Sequence, residues 1–395
     1  MSSQRLLILN GSLSELPLIK KAKELGYYVI TSGNAPELIG HRYADEYIPA
    51  DYSDKEAILQ LVKDNAIDRI VSPANDFGVI SACYVAQTMG WPGHDTYQNA
   101  LTLHHKDAFK MLIQEMGIRT PHSVVFHSKD EALDGIDDFN YPVIVKAVDL
   151  TGGKGIHRAN NREEAIAAIE NAYSISRSNN VVVEPYLTGV QQSIDTFVRD
   201  GKVIASVSND CYMPMNPYLI QSETLPARGI EDIQDELHGI IEAICKRLSL
   251  VDGMFTLQYI ICDGKPYVIE MMRRCLGNQF LTVAGRVTGF PWEEALLRAE
   301  TGMPLDGLTF ETPKSAFAGH HGVMGDHNGK IAGFRIDPEL QDHLFQTIEI
   351  MQPGEEITNF MNERVAYLYY EADTRQEIES FATRLNSLAY VVYAE

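Results

Sequence analysis

The sequence is short of several things, and each shortage removes a class of function. No apolar run approaches the roughly 18 residues of a membrane span. The N-terminal run after "MSSQR" stops at Asn10-Gly11, too short for the apolar region of a secretory signal. Membrane partners are therefore not expected. Basic residues are scarce, with 33 Lys and Arg against 54 Asp and Glu, a formal charge of −21. That field repels phosphate backbones and no block of like charges offsets it, so no nucleic-acid partner is expected. Cysteine occurs five times (Cys83, Cys211, Cys245, Cys262, Cys275), never as CxxC and in odd number. This fits reduced thiols in the cytoplasm rather than a disulfide framework. HExxH, zinc-type Cys/His spacing, GxGxxG and GxxxxGK[ST] are all missing, which argues against a transition-metal site, a dinucleotide fingerprint and a P-loop. The histidine pairs His104-His105 and His320-His321 read as surface or capping residues.

What is present is an ordinary globular composition over 395 residues, 45% apolar and 22% charged, enough for two or three domains. Residues 1–100 alternate strand and helix: "RLLIL", "LPLIKKAKELG", "YYVIT", "DKEAILQLVKDN", "DRIVS". This order predicts a doubly wound parallel sheet, with ligands outside the carboxyl ends of its strands. "KDAFKMLIQEM" (106–116) sets Phe109, Leu112, Ile113 and Met116 on one helical face. Residues 101–304 then read as short strands with helices on one side, an antiparallel sheet region. "REEAIAAIENAY" and "ELHGIIEAICKRLSL" are its amphipathic helices, and Asp200-Gly201 and Asp263-Gly264 are hairpin turns. Residues 305–395 form a third region that either completes the active site or serves an interface, with strand-like runs "GKIAGFRI" and "RVAYLYY" and a last helix near 376–388.

The chemistry concentrates in a few places. "VIVKAVDLTGGKG" (143–155) joins an apolar run carrying Lys146 to the loop Gly152, Gly153, Lys154, Gly155. Such a loop can crowd backbone amides around an anion, although a hairpin tip with a solvated lysine is the commoner use. Lys146 is more telling. The apolar character of its strand predicts burial on both faces, where an ammonium needs an anion. Downstream, "VVVEPYLTG" runs three valines into Glu184, and the hairpin "GMFTLQYIICDGKPYVIEMMRRCLGNQ" carries Gln258 and Glu270. A carbonyl and a carboxylate are hard oxygen ligands of the kind magnesium uses with nucleotide phosphates. Arg273 and Arg274 follow as planar donors. Taken singly, Gln258 also reads as an edge residue and Glu270 as an ion-pair partner of Arg274. A strict two-residue turn at Asp263-Gly264 pairs Gln258 with Ile269 and puts Glu270 on the opposite face. Convergence of Gln258 and Glu270 thus requires an odd loop or a bulge.

In combination these pieces resemble the ATP-grasp superfamily over essentially the whole chain, in the order Lys106, "PVIVKA", glycine-rich loop, "VVVEPYLTG", "YVIEMMRR.LG". The resemblance implies a parallel N-terminal domain, central antiparallel sheets with helices, and a mixed β domain at the end. It implies ATP and one or two magnesium ions, with manganese as a substitute. Lys106 and Lys146 would meet the phosphates, and Gly152, Gly153, Lys154 and Gly155 would close over them. Glu184, Pro185, Tyr186 and Leu187 would form the adenine hinge, with Gln191 at the ribose. Gln258 and Glu270 would hold metal, and Arg274 and Lys154 would serve the transfer. Met272 stands where the family places an asparagine for a second metal. A thioether is a poor magnesium ligand, so Asn278 or water takes that place or the second ion binds more weakly. Arg228 and Arg286 are candidate ligands for a substrate carboxylate. The activity implied is an ATP-dependent carboxylate–amine ligase working on small molecules through an acyl phosphate, with a homodimer as its assembly. The alternatives are a bicarbonate-activating carboxylase or carbamoyl-phosphate-type enzyme, and a non-catalytic ATP-binding regulator.

Overall fold

The computed structural model describes residues 3–148, 155–176 and 178–394. Strands β1 (Arg5–Leu9), β2 (Tyr28–Ser32), β3 (Glu46–Tyr47) and β4 (Arg69–Val71) form a parallel sheet in the order β3-β2-β1-β4. Helices α1 (Leu16–Glu24) and α2 (Lys55–Asp64) make crossovers between its strands, and α3 (Asp76–Met89) follows β4. β1 is buried on both faces, as expected of a strand covered on each side. Helices α4 (Tyr97–His104) and α5 (Lys106–Glu115) lead out of this layer. α5 buries Phe109, Leu112 and Ile113, the stripe its 3.6 period predicts.

A four-stranded antiparallel sheet follows, built from β5 (Val124–Phe126), β6 (Val143–Ala147), β7 (Ile156–Ala159) and β8 (Val181–Pro185) in the order β5-β8-β6-β7. Helices α6 (Lys129–Gly135) and α7 (Arg162–Ile175) cover one face. Val143, Val145, Val181 and Val183 point into that core, so the alternate residues Ile144, Lys146, Val182 and Glu184 face the other way.

The third layer is an eight-stranded sheet. It takes β9 (Val190–Arg199), β10 (Lys202–Tyr212), β11 (Ser222–Leu225), β12 (Gly253–Cys262) and β13 (Lys265–Met272) from one part of the chain. From the end it takes β14 (Phe317–Val323), β16 (Leu344–Glu349) and β18 (Ala366–Ala372), giving the order β13-β12-β9-β10-β11-β14-β18-β16. A small sheet of β17 (Glu356–Ile357), β15 (Gly329–Ile336) and β19 (Ala389–Tyr393) lies beside it. Helix α8 (Gln234–Leu248) packs on β9 and β12 from one side. On the other side α9 (Phe280–Thr288) and α10 (Trp292–Thr301) join a core that also holds Leu6 and Ile8 of β1 and Phe197, Val207 and Met254 of the large sheet. The short α11 (Pro338–Gln341) and the last helix α12 (Arg375–Leu388) finish the chain.

Both predicted Asp-Gly hairpins form, with Asp200, Gly201, Asp263 and Gly264 all at positive φ, as a two-residue turn of the type matched to strand twist demands. In the second, Cys262 pairs with Lys265 and Tyr259 with Val268, and the register then slips so that Gln258 pairs with Glu270. The expected bulge exists, and Ile269 is the extra residue.

The two arginines after β13 act as struts. Arg273 is buried, donates to Asp95 at 2.9 Å and to the carbonyls of Met254 and Val251, and so ties the parallel domain to the large sheet. Burial opposes its charge, but Asp95 holds its pKa above the ordinary value. Replacing Arg273 by Leu strands the buried Asp95 carboxylate. A loss of about 3–5 kcal/mol is expected in urea unfolding, with part recovered by adding Asp95→Asn; a loss below about 1 kcal/mol contradicts the strut.

Candidate active site

The polar face of the four-stranded sheet opposes the β12–β13 hairpin and the start of β9 across a cavity of about 510 Å³, within the range of small-molecule sites. Its walls include Lys106, Lys110, Lys146, Glu184, Gln191, Gln258 and Glu270. Lys146 is buried as expected, and the anion it meets is internal: its Nζ bonds Glu184 Oε1. The other oxygen of Glu184 accepts from Ser123 Oγ at 2.7 Å and lies 3.3 Å from Lys110 Nζ. Burial alone would raise the Glu184 pKa, but the two ammonium groups overcome it and hold the carboxyl at about 2. Burial lowers Lys110 to about 8 despite its carboxylate neighbour, with Lys146 adding to the depression. Two cations thus flank one anion, leaving a net positive wall suited to a polyphosphate.

Across the cavity, the bulge sets Gln258 and Glu270 side by side on one sheet face, with Lys106 Nζ 3.0 Å from Glu270 Oε1. Lys106 opens α5, so one helix presents Lys106 to the hairpin and Lys110, a turn later, to Glu184. The amide oxygen and carboxylate fit a magnesium ion whose other ligands are phosphate and water. Among the described residues no group of three or more His, Cys, Asp or Glu forms a closed metal site. Met272 sits opposite Thr256 on the same face and is buried.

The remaining expected residues divide. Pro185, Tyr186, Leu187 and Arg228 line the cavity with Gln191. Tyr186 N–H donates to the Pro142 carbonyl, fixing the turn after β8, and Arg158 stacks over the Tyr186 ring. Gly152, Gly153 and Lys154 lie outside the described residues; Gly155 has φ +68° and its carbonyl accepts from Ala147 N–H. Three further expected residues are held by partners within the protein. Arg274 is absent from the cavity lining; its Nε donates to Asp76 at 2.6 Å, an aspartate also held by His104 at 3.0 Å. Burial would raise Asp76, but Arg274 and His104 keep it far below the carboxylate range. Asn278 is carried away by positive φ at Asn278 and Gln279, with its N–H on Ser14 Oγ at 3.0 Å and its carbonyl accepting from Tyr369. Arg286 pairs with Glu371 and stacks on Phe345. Arg228 itself leans on Asp210 at 3.2 Å. Lys110 was missed by sequence reasoning, although its place four residues after Lys106 was the available signal. Three of the four paired histidines are not surface residues: His320 and His321 are fully buried, and so is the His104 side chain.

The profile of the family described as carbamoyl-phosphate synthase L chain, ATP binding domain, matches residues 105–308. Over 305 residues the chain is 25% identical to the carbamoyl phosphate synthase large chain of Campylobacter jejuni, covering 73% of this chain but only 28% of that one. Among solved structures, the L-amino acid ligase of Bacillus licheniformis superimposes over 100% of both chains with a TM-score of 0.84 at 17% identity. Phosphoribosylglycinamide synthetase from Anaerococcus prevotii gives 0.78 at 19% identity, over 99% of this chain and 100% of that one.

Glu184 separates two ammonium groups, so its removal is costly. Glu184→Gln is expected to destabilise the protein by about 3–5 kcal/mol. Because its folded pKa is depressed, Glu184 contributes stability that is complete above the ordinary 4.5 and lost as pH falls toward about 2. The stability gap between wild type and Glu184→Gln, read by thermal melts, should therefore shrink across that window; a gap constant from pH 6 to pH 3 contradicts the ion-pair account.

Proposed function

The chain belongs to the carbamoyl-phosphate synthase L chain ATP-binding domain family and has the ATP-grasp fold; on that footing we propose that it is an ATP-dependent carboxylate–amine ligase. The observation that carries the reading is the bulged pairing of Gln258 with Glu270, opposite Lys146 and Lys110 in one cavity. Residues 1–100 serve as the parallel scaffold, 101–304 bind ATP and metal, and 305–395 complete the substrate side.

Lys106, Lys146 and Lys110 hold the nucleotide phosphates, while Glu184 keeps the last two lysines apart and charged. Pro185 to Leu187 border the base and Gln191 the ribose. Gln258 and Glu270 would hold magnesium, or manganese in its place, supplying charge neutralisation and alignment for phosphoryl transfer. No protein nucleophile is needed: the substrate carboxylate attacks the terminal phosphorus of ATP, ADP leaves, and an amine displaces phosphate from the acyl phosphate. Lys154, with Gly152, Gly153 and Gly155, would shield that intermediate from water. Arg274 acts indirectly by fixing Asp76 behind the hairpin, where its positive charge still acts on Glu270.

Among the described residues no helix is long and apolar enough to cross a membrane, and of the five free cysteines all but Cys262 are buried. We place the enzyme in the reducing cytoplasm, as a homodimer acting on small molecules. The family's name favours a second reading, activation of bicarbonate rather than an organic acid.

Incubation with Mg-ATP and pools of carboxylates and amines should release ADP and phosphate only when both pools are present, with a new amide seen by mass. Glu270→Ala should remove turnover and the magnesium dependence of nucleotide binding. AMP and pyrophosphate as products overturn the reading, and turnover on bicarbonate without an organic acid selects the second. Tight ATP binding without turnover on any pool identifies a regulator.

A further inference from the structure

The two walls of the nucleotide cavity belong to different sheets. Lys146 and Glu184 stand on β6 and β8 of the four-stranded sheet, and Gln258 and Glu270 on the β12–β13 hairpin of the large one. A metal-bound triphosphate that touches both walls needs the gap between them fixed, since a misplacement of about 1 Å is enough to slow a reaction steeply. On the β8 side the chain itself fixes the gap. Residues 186–189 run from β8 into β9, and Gly189 passes so close to Ile261 that a Cβ there would strike its carbonyl. On the β7 side a side chain takes that part.

β7 is an edge strand. Ala147 N–H donates to the Gly155 carbonyl, and pairs in an antiparallel ladder alternate from there, so Arg158 lies opposite Ile144 with its N–H turned away from β6. Tyr218 Oη accepts that N–H at 2.8 Å. Tyr218 belongs to the loop 213–221 between β10 and β11 of the large sheet. Both residues line the cavity, and the Arg158 guanidinium lies 4.4 Å from the centre of the Tyr186 ring. One hydrogen bond thus spans the two sheets, with β6 and its Lys146 between this clamp and the covalent join at 186–189.

The loop that carries Tyr218 is restricted by Pro214 and Pro217 and fastened at its far side. Asn216 Oδ1 accepts from Tyr218 N–H at 3.1 Å, and Asn216 Nδ2 donates to the Met361 carbonyl at 3.3 Å and to Asn362 Oδ1 at 3.2 Å. Arg364 Nη2 donates to the Ile220 carbonyl at 3.0 Å. Residues 361–364 lie beyond the family match, which ends at 308.

We propose, on the basis of the ligase reading, that Tyr218 is a positioning residue. It holds β7, and Lys146 on the neighbouring strand, at the distance from Gln258 and Glu270 that a magnesium-bound triphosphate spans, and it takes that hold from the C-terminal region through Asn216. Tyr218 itself touches no reacting atom. Its loss is felt where metal and phosphate bridge the two walls, and not where a nucleotide rests on one wall alone.

The test is calorimetric binding of a non-hydrolysable ATP analogue to the full chain, with and without magnesium, beside hydrogen exchange of the 156–159 segment read by mass spectrometry. Tyr218→Phe keeps the ring and removes the oxygen. The hydrogen bond is exposed to solvent, so water can take over the donor and the fold is kept. Exchange of the Arg158 amide should speed up about ten-fold, the worth of one hydrogen bond. The gain in affinity that magnesium brings should shrink about five-fold or more, while affinity without magnesium stays within about two-fold. Arg158→Pro removes the same hydrogen bond from the other side, at an edge position that tolerates proline, and should match Tyr218→Phe in its magnesium effect. Arg158→Ala, which keeps the N–H, should retain the magnesium gain, and this pair carries the test should Tyr218→Phe not fold. Asn216→Ala should move both readings of Tyr218→Phe in the same direction. Unchanged exchange, an undiminished magnesium gain, or a loss equal with and without magnesium overturns the proposal and leaves the ligase reading standing. A wild-type chain that binds no nucleotide removes both.

Discussion

A hairpin closed by a two-residue turn alternates its side chains without exception, so residues an odd number of places from true partners face opposite sides of the sheet. In the β12–β13 hairpin that rule would send Glu270 into the core shared with α8 and leave Gln258 alone on the cavity face. One inserted residue, Ile269, reverses the parity and returns Glu270 beside Gln258. What Glu270 does at the hard-ligand end follows from that insertion: its reach to Lys106 and the face that it and Met272 share with Gln258 and Thr256. Bulges at such places aim side chains as well as bend strands.

The opposite wall is governed by charge. Lys110 and Lys146 would repel each other in a buried site, and Glu184 is the counter-charge that makes their proximity tolerable. Such an arrangement stores positive potential close to a cavity without leaving a cation bare. On the proposed reading, a polyphosphate entering the site would meet lysines already desolvated and oriented, with little reorganisation left for binding.

Much of this was legible in the residues, and the reasons for the rest are specific. Periodicity located the helices from 16 to 24, 106 to 115 and 234 to 248, because each has one apolar stripe. The bulge was legible because two functional side chains and a turn of known length over-determine the register. Arg274 and Asn278 misled because the chain leaves the strand at Met272. Beyond that point the positive φ of Asn278 and Gln279 sets direction, and neither residue is a glycine that would announce it. Lys110 hid inside an amphipathic pattern whose polar positions are assumed to face water. His320 and Glu223 are 97 residues apart, and only the order of strands in the large sheet joins them.

That strand order has one more consequence. β11 is bonded on one side to β10 and on the other to β14, which lies beyond the end of the family match at residue 308. The ATP-binding unit defined by sequence is therefore not a unit of folding. A chain cut there would bare a strand edge in mid-sheet, an invitation to pair with a second molecule. Evolution can vary the last ninety or so residues in place but cannot exchange them as a detachable cassette, because three of the eight strands in the sheet that carries Gln258 and Glu270 are made of them.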